Sequence, residues 1–341
     1  MSEAQITVDE QIPENEAAAG ENENPLMRID TSFRTYLNVY TRSFANHVVG
    51  GALDYAFDSD FAVRQKLSGL MGWGRLYKAI TTGDIPAEAK EAFMKCNQAG
   101  PLKYPEIYDI LKKCTERLEL NPPILLIKDD ETPLVYSITC ENIEPSIIMT
   151  TGLIDMCSPE ELQFLIGCEC GRLQNNHIAY AFAFTYLNYN KLVYKPAQRS
   201  YKSPVSNQLV HTLVEWVKYA DITADRAGMI CLDTPQHYGE LVCGLYEKGY
   251  VDFAGRRSEV MHFDKLYEIY ERIKDEKEPR QLNVGSELSP LQRRVLAGMD
   301  FLNCITLYNW RSDYKRTEDT PYSRQISDIR SNIIVGTDTE V

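Results

Sequence analysis

Residues 123–177 read PILLIKDDETPLVYSITCENIEPSIIMTTGLIDMCSPEELQFLIGCECGRLQNNH. Three segments of this stretch, 123–128 (PILLIK), 133–140 (PLVYSITC) and 146–151 (SIIMTT), are rich in β-branched residues and bounded by Pro, Asp, Glu and Asn. That pattern predicts three strands of a small sheet. A helix follows. Ser158 is a good N-cap, Pro159 suits the first helical position, and Glu161 completes a capping box. The helix carries Leu162, Leu165, Ile166, Glu169 and Leu173 on one stripe. Glu169 therefore needs a cationic or hydrogen-bonding neighbour, because a carboxylate buried alone shifts towards its neutral form.

Outside this stretch the period is helical. Residues 105–118 (PEIYDILKKCTERL) place Ile107, Ile110, Leu111, Cys114 and Leu118 on one face. Apolar spacing also predicts helix across much of 30–95, including RQKLSGLMGWGRLYKAI, and over 206–232, 236–248, 258–274 and 290–308. Helices, a small sheet, then helices again indicate an α+β fold that is mostly helical. The expected organisation is an acidic disordered leader over 1–29, a helical region over 30–100 packed on the main domain, that domain over 101–312, and a flexible tail over 313–341.

Charge narrows the function. The 341 residues hold 36 Lys and Arg against 49 Asp and Glu, a net charge of −13, and residues 1–26 contribute seven carboxylates with no Lys or Arg. Such a chain lacks the basic face that phosphate contacts need, so nucleic acid is not an expected partner. The most apolar run, IAYAFAFTYL at 178–187, is half the ~20 residues of a membrane span. The acidic start does not resemble a signal peptide, and nine cysteines without a CxxC pair suit a reducing compartment. The expected location is cytoplasmic.

The layout of strand, edge strand, strand ending in TTGLID, and capped helix bearing EELQFLIGxExGxxxNNH resembles the HtpX and CAAX-prenyl-protease family of zinc metallopeptidases, of the gluzincin fold. In that family the helix carries HExxH. Histidines at i and i+4 share one Zn²⁺, and the intervening Glu acts on the metal-bound water as general base. The five corresponding residues here are Cys168, Glu169, Cys170, Gly171 and Arg172. The general-base position is kept while both imidazoles are replaced. Arg172 cannot ligate a metal, since its guanidinium stays protonated.

The resemblance also covers the family's ExxAD, which reads DITAD at 221–225. Asp221 stands at the third-ligand position, with a carboxylate reaching about 1.5 Å less far than Glu. Asp225 matches the second aspartate. The family's His-Pro before an Arg-bearing helix appears as Ser289 and Pro290, followed by LQRRVLAGMDF, so Ser289 takes the place of a supporting histidine. At the edge strand, where relatives commonly carry Asn-Ala and hold an extended peptide, this chain has Leu134 and Val135.

Residue chemistry leaves two placements for Arg172, in solvent or between Glu169 and Asp221 as a stand-in for the ion. The resemblance implies a catalytically inactive peptidase-like protein without a cofactor, which binds a protein or peptide at the edge strand or elsewhere, or assembles with an intact relative. The alternative is an active zinc metalloendopeptidase using Cys168, Asp221 and an unidentified third ligand, with Glu169 as base.

Overall fold

Apolar spacing in the first part of the chain builds short helices rather than one long one. The computed structural model describes residues 47–49, 51–188, 206–255, 261–276, 278–314 and 321–336. The acidic leader and the predicted helix before residue 47 lie outside these residues. An antiparallel pair, β1 (Val48–Val49) and β2 (Ala52–Leu53), precedes helix α1 (Asp58–Ser68). The helical stretch expected over RQKLSGLMGWGRLYKAI is interrupted at 69–72, where Gly72 takes φ +92, and α2 (Trp73–Ala79) starts anew. Only glycine enters that backbone region without strain. A five-residue π turn leads into α3 (Ile85–Lys95), followed by the short β3 (Asn97–Gln98) and α4 (Pro105–Arg117).

The predicted strands are β4 (Ile124–Lys128), β5 (Val135–Cys140) and β6 (Ile143–Thr150). The sheet order is β3-β4-β6-β5, with β4 parallel to β6 and β5 antiparallel to it. Strand β5 is thus an edge. Strand β6 begins three residues earlier than its apolar run, and its register against β5 shifts between Ile138 and Cys140. The extra residues there include Pro145, whose missing N–H is tolerated at a bulge.

Thr150 caps α5 (Thr151–Met156), so most of the TTGLID segment is a short helix. Helix α6 (Pro159–Gln174) starts with the predicted capping box and is buried from Glu161 onward. It stops through a Schellman arrangement: Asn176 is left-handed at φ 56, the His177 N–H donates to Arg172 O, and the Asn176 N–H donates to Leu173 O. Then come α7 (Ile178–Asn188), α8 (Asn207–Cys231) capped by Ser206, α9 (Tyr238–Glu247) and α10 (Phe263–Ile273).

Helices α6 and α8 form the centre of the core. A Cβ on Gly228 would lie 2.6 Å from Phe164 and 2.8 Å from the Cys168 sulfur, so glycine is needed for this approach.

The helix expected over 290–308 divides into α11 (Pro290–Phe301) and α12 (Ile305–Trp310). At the break the Ile305 N–H donates to Tyr322 O at 2.8 Å and the Tyr322 N–H to Asn303 O at 2.7 Å, replacing the helical ladder. The flexible tail expected over 313–341 is corrected for its described part. Residues Arg324–Val335 form α13, in which the buried Arg330 lies 2.9 and 3.0 Å from the two oxygens of Asp300 through Nε. Asp328 accepts from Arg226 at 2.6 Å.

Candidate functional site

Glu169 and Arg172 sit three apart on α6, one turn along the same face, opposite Asp221 on α8. Arg172 turns inward. Its Nη2 donates to Asp221 Oδ1 at 2.7 Å, and its Nε lies 3.3 Å from Glu169 Oε1, near enough to pair in charge but without hydrogen-bond alignment. The guanidinium also stacks on Phe253, 4.4 Å from the ring centroid. Ser137 of β5 donates its hydroxyl to Glu169 Oε2, which fixes that carboxylate from the sheet side. Burial raises the Glu169 pKa above the ordinary range, opposed by Arg172 and then by the Ser137 hydrogen bond. Burial alone would lower the Arg172 pKa, but Asp221 and then Glu169 outweigh it and hold the guanidinium charged.

A second guanidinium joins from α11. Arg294 binds Asp225 through Nε and Nη2, both at 2.7 Å, in a two-point pair, and its Nη1 lies 3.5 Å from Asp221 and from Asp252. Tyr238 donates to Asp225 at 3.0 Å, and Tyr246 donates to Asp252 at 2.8 Å. Cys168 faces the same aspartate, its sulfur 4.0 Å from Asp225 Oδ1. Burial, and next the Asp225 charge, push that thiol well above its usual pKa. Arg294, Tyr238, Tyr246, Asp252 and Ser137 were not among the predicted site residues. Arg294 lay in the LQRRVLAGMDF segment that carried the resemblance, so a signal for it was present.

These donors do not fit zinc. A zinc ligand must be a thiolate, a neutral imidazole or an accessible carboxylate, whereas Cys168 is held protonated and Asp221 lies between two guanidinium groups. Among the described residues no three His, Cys, Asp or Glu side chains form a group that could hold a metal ion. The cavity bordered by Cys168, Glu169, Arg172 and Arg294 measures about 20 Å³, room for one water.

Residues 102–249, which span α4 through α9, match the model of peptidase family M48. The chain carries an M48 peptidase segment. It is 24% identical over 136 residues to the plastoglobule-localized metallopeptidase 48, chloroplastic, of Arabidopsis thaliana, covering 38% of this chain and 37% of that protein. It is 26% identical over 87 residues to a protease HtpX homolog of Thermodesulfovibrio yellowstonii, covering 26% of this chain and 31% of that protein. The chain thus spans about a third of the length of the curated relatives it matches. No solved structure matches it. The mostly helical fold and small mixed sheet are compatible with an α+β M48 peptidase fold, and the matched segment is similar to HtpX-like zinc metallopeptidases. No helix of the described residues is long and apolar enough to cross a membrane.

Other expected M48 site residues lie elsewhere. Ser289 accepts from the Gln292 N–H at 3.2 Å and caps α11, so its role is helix initiation rather than support of the charged cluster. Val135 has its side chain in the hydrophobic core, and Leu134 is half-buried with its backbone paired to Thr150, so neither presents an open apolar edge. His177 is fully buried, with Nε2 2.8 Å from Asp60 Oδ2. Asp60 also accepts from Trp216 and Thr223, each at 2.9 Å, and from Arg64 at 3.1 Å.

This second cluster sets an acid dependence. Burial lowers the His177 pKa, opposed by Asp60, so the imidazole is neutral in the fold and takes up a proton more readily when unfolded. Its contribution is complete above the unfolded value of about 6.5 and is lost as pH falls towards the lower folded value. Asp60 is brought down to about 2: burial opposes the shift, and His177, Arg64 and the Thr223 hydroxyl outweigh burial. Its contribution is lost later, as pH falls from about 4 to about 2. Urea unfolding should therefore show stability falling as pH drops below about 6.5, with a smaller fall in His177→Gln. An equal fall in both proteins would remove His177 as the cause.

Proposed function

We propose that this chain is a catalytically inactive, cytoplasmic M48-type protein that works by binding a protein or peptide, or as an assembly subunit beside an intact relative. The observation that supports this is the Arg172 guanidinium between Glu169 and Asp221, at 3.3 and 2.7 Å, which supplies there the positive charge that relatives take from zinc. A general base also needs a water activated within reach and room for substrate. The one-water cavity beside Glu169 falls far short of the several hundred Å³ typical of ligand sites.

The test is a metal analysis and a peptide-cleavage assay on one purified sample. The protein should carry no stoichiometric zinc, and Glu169→Gln should leave its biological activity unchanged. One tightly held zinc per chain, with cleavage that drops by about 10²–10⁴ in Glu169→Gln while the fold is retained, would restore the enzyme reading.

A further inference from the structure

We propose that the groove between α4 and the start of α6 is a docking site for a peptide segment of a second protein that carries an aliphatic anchor beside Lys or Arg. The proposal goes beyond the binding role above by naming the surface and the chemistry of the partner, and it stands whatever the central cluster does.

The groove joins two depressions. One, of about 350 Å³, has apolar walls from Ile107, Ile110, Ile154 and Leu162. The other, of about 540 Å³, continues past Ile110 and Pro159, which border both. Each lies in the size range of ligand sites. The second depression changes character. Glu106, Asp109, Glu160 and Asp233 line it against a single lysine, Lys113, and His237. Lys113 is already paired with Asp233 at 2.5 Å, and His237 with Glu160 at 3.0 Å. Glu106 and Asp109 are exposed and three apart on α4, so they share one face at the junction of the two depressions.

An occupant must therefore offer an apolar side chain at one end and positive charge at the other. The chain's own residues 1–26 are excluded, since they hold seven carboxylates and no Lys or Arg. Nucleic acid is excluded by the same repulsion. What remains is an apolar and basic peptide, captured by burial of its anchor and by charge complementarity.

The test is fluorescence anisotropy with the full chain and a labelled peptide holding one Ile and two Lys. Replacing the Ile by Ala, or both Lys by Glu, should each weaken binding about tenfold or more, and raising the salt to about 0.5 M should weaken it further. Glu106→Lys with Asp109→Lys changes only exposed positions and should leave the melting temperature unchanged while reversing the preference towards the Glu peptide. Equal affinity for the Lys and Glu peptides, no effect of the double variant, or no binding at about millimolar peptide would overturn the proposal. Cleavage of the peptide would count against the inactive reading and leave the charge preference to decide this one.

Discussion

Arg172→Ala should destabilise the protein by about 3–5 kcal/mol, because it leaves Glu169 and Asp221 buried without the cation between them. Arg294, whose third nitrogen lies 3.5 Å from Asp221, offsets only part of this, since its other two are committed to Asp225. The loss arises from uncompensated charge rather than from missing contact area. Replacing Glu169, Arg172 and Asp221 together by apolar residues of similar volume should therefore recover most of it. Arg172→His alone should not produce a zinc enzyme, because Asp221 at the third ligand position remains beside the Arg294 guanidinium. Urea unfolding of the single and triple variants measures both effects. A loss below about 1 kcal/mol in Arg172→Ala would mean that the pair contributes no more than a surface bridge.

Asp60→Ala should cost a similar amount, about 3–5 kcal/mol, for a different reason. One buried carboxylate accepts from the Trp216 indole, the Thr223 hydroxyl and Arg64, and pairs with the His177 imidazole. Its removal strands buried donors from α1 and α8 at once. Asp60→Asn keeps an acceptor oxygen and should lose less. Equal losses in the two variants would show that the charge, rather than the hydrogen bonds, carries the effect.

The parts of the fold written in local chemistry were readable from the chain. Ser158, Pro159 and Glu161 start α6 as their types require, Ser206 starts α8, and the face of Ile107, Leu111 and Cys114 is buried as its spacing demands. Half of the site was readable too, because Glu169, Arg172 and Asp221 each lie on a helix whose period is clear. What could not be read depends on partners far apart in the chain. Asp60 looks like an acidic residue of a helix first turn, and only the approach of Trp216, 156 positions away, makes it a buried acceptor. Helix α13 was read as part of a tail, yet its polar residues Asp328 and Arg330 are matched to Arg226 and Asp300. At the edge strand, Leu134 and Val135 looked like apolar residues available to a partner, whereas the sheet and the core already use them.

The clamp made by α13 bears on the order of events during translation. Residues 324–335 leave the ribosome after every group they lock, so Arg226 and Asp300 must wait for Asp328, Ser331 and Arg330 while the earlier helices are already free to collapse. At about 5–20 residues per second, the roughly hundred positions between Arg226 and Asp328 correspond to a delay of about 5–20 s. During that interval the nascent chain holds an unmatched guanidinium at the face that α13 will cover, joined by the unmatched Asp300 carboxylate over the last thirty positions. Premature consolidation is disfavoured until α13 arrives, so these faces reach their native pairing only after it has been made.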